Sequence, residues 1–171
     1  FSLDQIINKY REFMYESWHE HVRVSQFTRH RKNDFLNAGM NWLVKYYNNY
    51  GPKFNQNVID VEKKISFRLE GYLFEGIIDR IDKSDSDTIK IIDYKTGKKH
   101  ISEKKLQSDL QMGVYYLAIQ SIFTDKNIIL SHLYIRDTKE VSVFISNKNK
   151  KGNSKIYKEI YLNDTKKNIL T

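Results

Sequence analysis

The 171-residue chain contains no cysteine and only one proline, Pro52. Without thiols it can build no disulfide, zinc ribbon or cysteine-ligated iron–sulfur cluster. No stretch approaches the ~18 apolar residues of a membrane span, and the charged, apolar, small-residue order of a signal peptide is missing. Glycine is sparse, at seven residues. No glycine–lysine phosphate loop occurs, so any coupling to ATP has to come from elsewhere. There is no internal repeat, and no strand pair carries the aromatic platform of an RNA-binding sheet. An RNA-binding domain is therefore the weakest of the readings, and the lack of cysteine fits an intracellular, cytoplasmic setting, with no membrane partner.

What is abundant is positive charge. Lysine and arginine number 29 against 21 acids, a net charge of +8. Such an excess attracts polyanions without saying anything of the fold. Its distribution is uneven: residues 61–95 hold eight acids and seven bases, so that segment is −1 and the remainder +9. A mildly acidic stretch inside a basic chain suits a metal-dependent enzyme acting on nucleic acid, although a solvated face would look similar. With 40% apolar residues the chain can bury a core of its own.

The hydrophobic period sets the organisation. Ser2 and Gln5 form a capping-box pair ahead of Leu3, Ile6, Ile7, Tyr10, Phe13, Met14 and Trp18 at helical spacing. A second helical run carries Phe35, Leu36, Met40, Leu43, Val44 and Tyr47, and stops before Gly51-Pro52. The period then becomes two: Ile59, Val61, Ile65, Phe67 and Leu69 alternate with polar residues, predicting a strand with a buried odd-numbered face. A turn at Glu70-Gly71 leads to a second strand over 72–82, and a polar turn over 83–87 to a third over 88–95. One long helix is expected over 102–123, with Leu106, Leu110, Val114, Leu117 and Ala118 inward. Strands over 128–136 and 141–146, a basic loop from 148 and a short closing helix complete one α/β domain over 1–171. Its parts are a helical stretch over 1–51, a sheet core over 57–147 and the tail over 148–171.

Two strand ends carry the chemistry: Gly76-Ile77-Ile78-Asp79-Arg80-Ile81-Asp82 and Ile91-Ile92-Asp93-Tyr94-Lys95-Thr96-Gly97. Asp93 and Lys95 are two apart on a strand and share a face. Asp79 lies on the neighbouring strand and can converge with Asp93. Two carboxylates make an oxygen site suited to Mg²⁺ or Mn²⁺, and an adjacent lysine can offset charge on a phosphate. Surface ion pairs, Asp79 with Arg80 and Asp93 with Lys95, are the bland alternative. Asp82 falls on the opposite face from Asp79, so Asp82→Asn is expected to behave as the parent chain.

These motifs, followed by a helix with Gln111 and Tyr115, resemble the RecB-type branch of the PD-(D/E)XK nuclease superfamily. The resemblance covers about residues 57–120 and implies a restriction-endonuclease-like αβββαβ core with a mixed central sheet, two N-terminal helices and a short C-terminal helix. It implies Asp79, Asp93 and the main-chain carbonyl of Tyr94 as ligands of Mg²⁺ or Mn²⁺, and Lys95 as the catalytic lysine. Gln111 and Tyr115 match a Gln-x-x-x-Tyr signature, four residues apart on a face distinct from the apolar stripe. Glu62 matches a further glutamate on the first strand. The family's upstream Gly-x-x-x-His helix has no counterpart: His19, His21 and His30 lack that context. That helix is expected before Phe1, in a longer recombination or repair protein that brings a helicase or other domains. The implied activity is metal-dependent, exonuclease-like hydrolysis of DNA, with Lys98, Lys99, Lys104 and Lys105 tracking the phosphate backbone. The alternative is a nuclease-like domain that binds DNA or acts as a scaffold while cutting weakly or not at all.

Overall fold

The computed structural model describes residues 1–18, 32–54, 56–69 and 71–149. Helix α1 (Leu3–Ser17) begins as its capping box requires. The Ser2 side chain accepts from the Gln5 N–H, and the Gln5 side chain accepts from the Ser2 N–H at 2.8 Å. Helix α2 (Lys32–Tyr50) crosses α1 at Gly39, where a Cβ would overlap the Tyr10 hydroxyl. His19, His21 and His30 lie outside the described residues, as does the expected C-terminal helix.

Five strands form one sheet in the order β1-β2-β3-β4-β5: β1 (Val58–Leu69), β2 (Tyr72–Lys83), β3 (Thr88–Lys95), β4 (Asn127–Tyr134) and β5 (Lys139–Ile145). Gly71, at φ 87°, makes the turn between β1 and β2, which pair antiparallel from Leu69 with Tyr72 back to Val58 with Asp82. Beyond β5 the described chain ends in a single 3₁₀ turn, Asn147–Asn149. The described residues divide into two compact units, one within Phe1–Asn55 and Tyr134–Lys139 and the other within Gln56–Leu133 and Glu140–Thr171.

Three expectations change. The odd-numbered face of β1 is buried only at Ile65 and Leu69, while Ile59 and Val61 are exposed. A register shift between Val58 and Asp60 and a left-handed Glu62 (φ 49°) break the alternation there. The single helix over 102–123 is two: α3 (Glu103–Gln107) and α4 (Leu110–Ile122). Asp109 divides them, because its carboxylate caps the Met112 N–H at 3.0 Å and restarts the helix. The inward face of α4 is Met112, Tyr115, Tyr116, Ala118 and Ile119; Leu110 is exposed, and Val114 and Leu117 are half-buried. Tyr115 therefore lies within the buried face rather than apart from it.

The sheet unit is held by apolar side chains from every central strand. Ile78, Ile91, Leu130, Leu106, Met112 and Ile119 are all fully enclosed. Burying each such side chain is worth about 1.5–3 kcal/mol. Beside them sit two satisfied ionic clusters. Arg80 holds Asp82 through two hydrogen bonds, at 2.7 and 2.5 Å, and also donates to the Tyr94 hydroxyl at 3.2 Å. Lys90 pairs with Glu140 at 2.5 Å, and the Ser131 and Ser142 hydroxyls donate to the same carboxylate. Arg80 thus pairs with Asp82 inside the fold, and Asp79 is engaged by the Tyr94 N–H rather than by Arg80, as the alternative surface pairing would have had it.

Candidate active site

The antiparallel ladder between β2 and β3 runs from Lys83–Ile89 to Arg80–Ile92 and stops there. The next residue on each strand is a carboxylate, Asp79 and Asp93. Past the end of the ladder a side chain does the bridging: Asp79 Oδ2 accepts the Tyr94 N–H at 2.8 Å. That bond ties the Asp79 carboxylate to the Asp93-Tyr94-Lys95 strand end. Lys95 Nζ lies 2.6 Å from Asp93 Oδ2, with Asp93 3% exposed and the lysine side chain about one-third exposed. A buried carboxylate facing a half-exposed ammonium leaves the cation reachable from solvent while the anion is sheltered.

Helix α4 joins the same cluster. Lys95 donates to Gln111 Oε1 at 3.1 Å, and Gln111 Nε2 donates to the Tyr115 hydroxyl at 2.9 Å. The Tyr115 hydroxyl in turn donates to the main-chain carbonyl of Ile77 at 2.6 Å, two residues before Asp79. The chain of contacts closes: β3 lysine, α4 glutamine, α4 tyrosine, β2 backbone. The Tyr115 ring lies over Gly76, at ordinary contact distance from where a Cβ would stand. Burial pushes the Tyr115 phenol up from its ordinary value, and the Asp93 and Asp79 charges add to this, against the Gln111 hydrogen bond and Lys95. Tyr115 therefore stays protonated and remains a donor to Ile77 at any physiological pH.

Asp79, Asp93, Lys95, Gln111 and Tyr115 are thus brought together. Tyr94 is tied to the cluster through its N–H to Asp79, while Glu62 and the four lysines are exposed around it. Glu62 is exposed in its left-handed position, between the Val61–Arg80 and Lys63–Ile78 pairs and so across from Asp79. Lys98 and Lys99 are exposed in the connection after β3, and Lys104 and Lys105 are exposed on α3.

A family model described as the PD-(D/E)XK nuclease superfamily matches residues 4–170. The chain belongs to that superfamily. No curated protein matches the sequence. Among solved structures, it is similar to a "putative exonuclease" from Eubacterium rectale at 9% identity and a TM-score of 0.43, covering 93% of this chain and 65% of that one. It is also similar to the protein SSO0001 at 12% identity and a TM-score of 0.35, covering 94% of this chain and 73% of that one. The chain therefore spans about two thirds of the length of the first of these relatives.

For a PD-(D/E)XK chain the relevant question is whether these residues fit a divalent cation. Asp93 Oδ2 is enclosed, and the partner found for it is the Lys95 ammonium at 2.6 Å. An enclosed carboxylate balanced by one partly exposed lysine is costly to keep out of water and has room in its bonding for a further cation. Asp79 has one oxygen engaged by the Tyr94 N–H and a second available. Among the described residues no three histidine, aspartate or glutamate side chains cluster as a cage. Two carboxylates, a carbonyl and waters make an all-oxygen set, which fits a hard cation that keeps part of its hydration shell.

One residue of this site escaped the sequence reading. His132, on β4 and 2% exposed, has Nε2 4.0 Å from Asp93 Oδ2. Burial depresses its imidazole first, Lys95 second, and Asp93 and Asp109 oppose them. It is neutral at pH 7 and adds no second cation against Asp93. The only hint in the sequence was a lone histidine inside an apolar strand.

Proposed function

We propose that this domain is a metal-dependent DNA nuclease of the RecB-type branch, exonuclease-like, and part of a longer recombination or repair protein. The observation that carries the reading is the meeting of Asp79, Asp93 and Lys95 where the β2–β3 ladder ends, with Lys95 held by Gln111. Asp79, Asp93 and the Tyr94 carbonyl would hold Mg²⁺ or Mn²⁺, with Glu62 as a further candidate ligand. The cation supplies Lewis-acid stabilisation of charge on the phosphate.

The chain's own residues account for the rest. Lys95 exchanges its ionic partner Asp93 for the substrate, directing its ammonium at the phosphate and the attacking water. The new P–O bond forms in line with the one that breaks; the attacking water gives up a proton to solvent, and the departing oxygen takes one from solvent. Gln111 keeps the ammonium aimed by accepting one of its three hydrogens, and Tyr115 fixes Gln111 against the Ile77 carbonyl. Lys98, Lys99, Lys104 and Lys105 would track the phosphate backbone beyond the site.

The test is incubation of end-labelled linear and covalently closed circular DNA with Mg²⁺, Mn²⁺ or EDTA. Metal-dependent loss of linear DNA alone supports an exonuclease, and loss of both forms an endonuclease. No loss under any condition, with DNA still bound, favours the non-cutting scaffold instead.

A further inference from the structure

Ile77 is 50% exposed although it sits in β2 directly before the fully buried Ile78 and two residues before Asp79. Strand alternation puts Ile77 and Asp79 on one face, about 7 Å apart along the strand. Across the hairpin its register partner is Lys64, also exposed. Val61, Tyr72 and Leu73 on the same hairpin are as open to solvent, and what sets Ile77 apart is its place two positions from Asp79 on one strand face. It is also firmly held. The Ile77 carbonyl takes the Tyr115 hydroxyl at 2.6 Å, so its backbone is clamped by the same Tyr115–Gln111–Lys95 chain that aims the ammonium. A side chain placed this rigidly relative to Lys95 can set the position of whatever binds at the scissile phosphate.

We propose that Ile77 is a specificity-determining residue that packs against the face of the nucleobase next to the scissile phosphate. The inference rests on the nuclease reading above and narrows its substrate. An aliphatic side chain can cover a base face only where that base is unstacked from one neighbour. The preferred substrate is therefore a single strand or a frayed duplex end, rather than an intact internal step. Lys64, facing Ile77 across the hairpin, provides the cation for the adjoining phosphate. The occupant follows from continuity with Asp79 and Asp93: these carboxylates, which would hold the phosphate to which the base is attached, come next beyond Ile77 along the strand.

The experiment compares Ile77→Ala with the parent chain on two fluorescent single-stranded oligonucleotides. One is fully based, and the other carries an abasic residue at the position next to the cleavage site. Binding is read by anisotropy in Ca²⁺, and cleavage in Mg²⁺ or Mn²⁺. Because Ile77 is half exposed, Ile77→Ala is expected to melt within a few degrees of the parent, checked by circular dichroism. On the based oligonucleotide the variant should lose roughly five- to tenfold in affinity and in kcat/KM, from the apolar area no longer covered. On the abasic oligonucleotide the parent and the variant should coincide. Leu73→Ala, four residues further along the hairpin, should match the parent on both. Equal losses on based and abasic strands, no loss on either, or an equal effect at Leu73 would overturn the inference. If the parent cuts nothing but binding still separates based from abasic strands through Ile77, the base contact stands and the nuclease reading falls.

Discussion

Two buried aspartates, Asp82 and Asp93, should respond in opposite ways to the same Asp→Asn change. Asp82 is 6% exposed and bound bidentately by Arg80, itself 7% exposed. Asp82→Asn removes the counter-charge while leaving the guanidinium inside the fold. Breaking one partner of a buried pair costs about 3–5 kcal/mol. With a urea slope of about 2 kcal/mol per molar, the midpoint should fall by roughly 2 M. Strand alternation, which sets Asp82 on the face away from Asp79 and so apart from cleavage, gives no sign of this loss of stability. Asp93 is equally enclosed, but its partner Lys95 is about one-third exposed and can be solvated once released. Asp93→Asn removes a buried charge whose ionic partner can be solvated when released, so stability should be unchanged or higher. Activity should follow the opposite order. Below its lowered midpoint the Asp82→Asn protein should still cut, whereas Asp93→Asn should fold and not cut. Urea titration by tryptophan fluorescence, paired with nuclease assays at 10 °C, separates the two. An Asp82→Asn midpoint within 0.3 M of the parent (about 0.6 kcal/mol by the same slope) would refute the buried-pair argument. A large loss of stability in Asp93→Asn would refute the claim that this carboxylate is held at a cost.

Lys95→Ala leaves both carboxylates in place, so Mn²⁺ should still bind by calorimetry while cleavage falls by about 10²–10³, the usual worth of charge stabilisation at a phosphate. Tyr115→Phe keeps the ring against Gly76 but leaves the Ile77 carbonyl without its hydroxyl donor; a loss of about 1–3 kcal/mol in urea titration is expected. Lower kcat with near-constant KM should accompany it, and an unchanged kcat would count against the positioning chain. Burial pushes the Glu140 carboxyl up, but hydrogen bonds from Lys90 and Ser131, the Lys90 charge and the Ser142 hydroxyl outweigh it, so its folded-state value is lowered. The native state then binds this proton less readily than the unfolded chain: its contribution is full above the ordinary glutamate range and is lost as pH falls through the lowered value. Glu140→Gln should flatten the stability curve below about pH 4.5, and an unchanged acid limb would sink the assignment. Affinity for random-sequence DNA should drop steeply with salt and show little base preference outside the scissile position, and a salt-independent Kd would argue against lysine–phosphate contacts.

The hairpin, the helix starts and the Asp79/Asp93/Lys95 motif were legible because each depends on residues close together in the chain. Strand period, turn residues and capping pairs act over a few positions. Side chains two apart on a strand share a face whatever surrounds them. The division at Asp109 was legible in principle too, since an aspartate before Met112 is an N-cap signal, but an apolar period running through 106–118 masked it. Burial was another matter. Ile59 and Val61 fit the strand pattern as well as Ile65 and Leu69, yet they are exposed, because only the latter part of β1 has partners over its face. Arg80 and Asp82 read as strand-end charges, and only their enclosure turned them into a buried pair. The approach of His132 to Asp93 spans 39 positions and depends on β4 lying beside β3, which no local rule specifies. Local chemistry determined which residues could act. Which of them are sheltered, paired or exposed depends on contacts between segments far apart in sequence, and those form only when the sheet and helices pack.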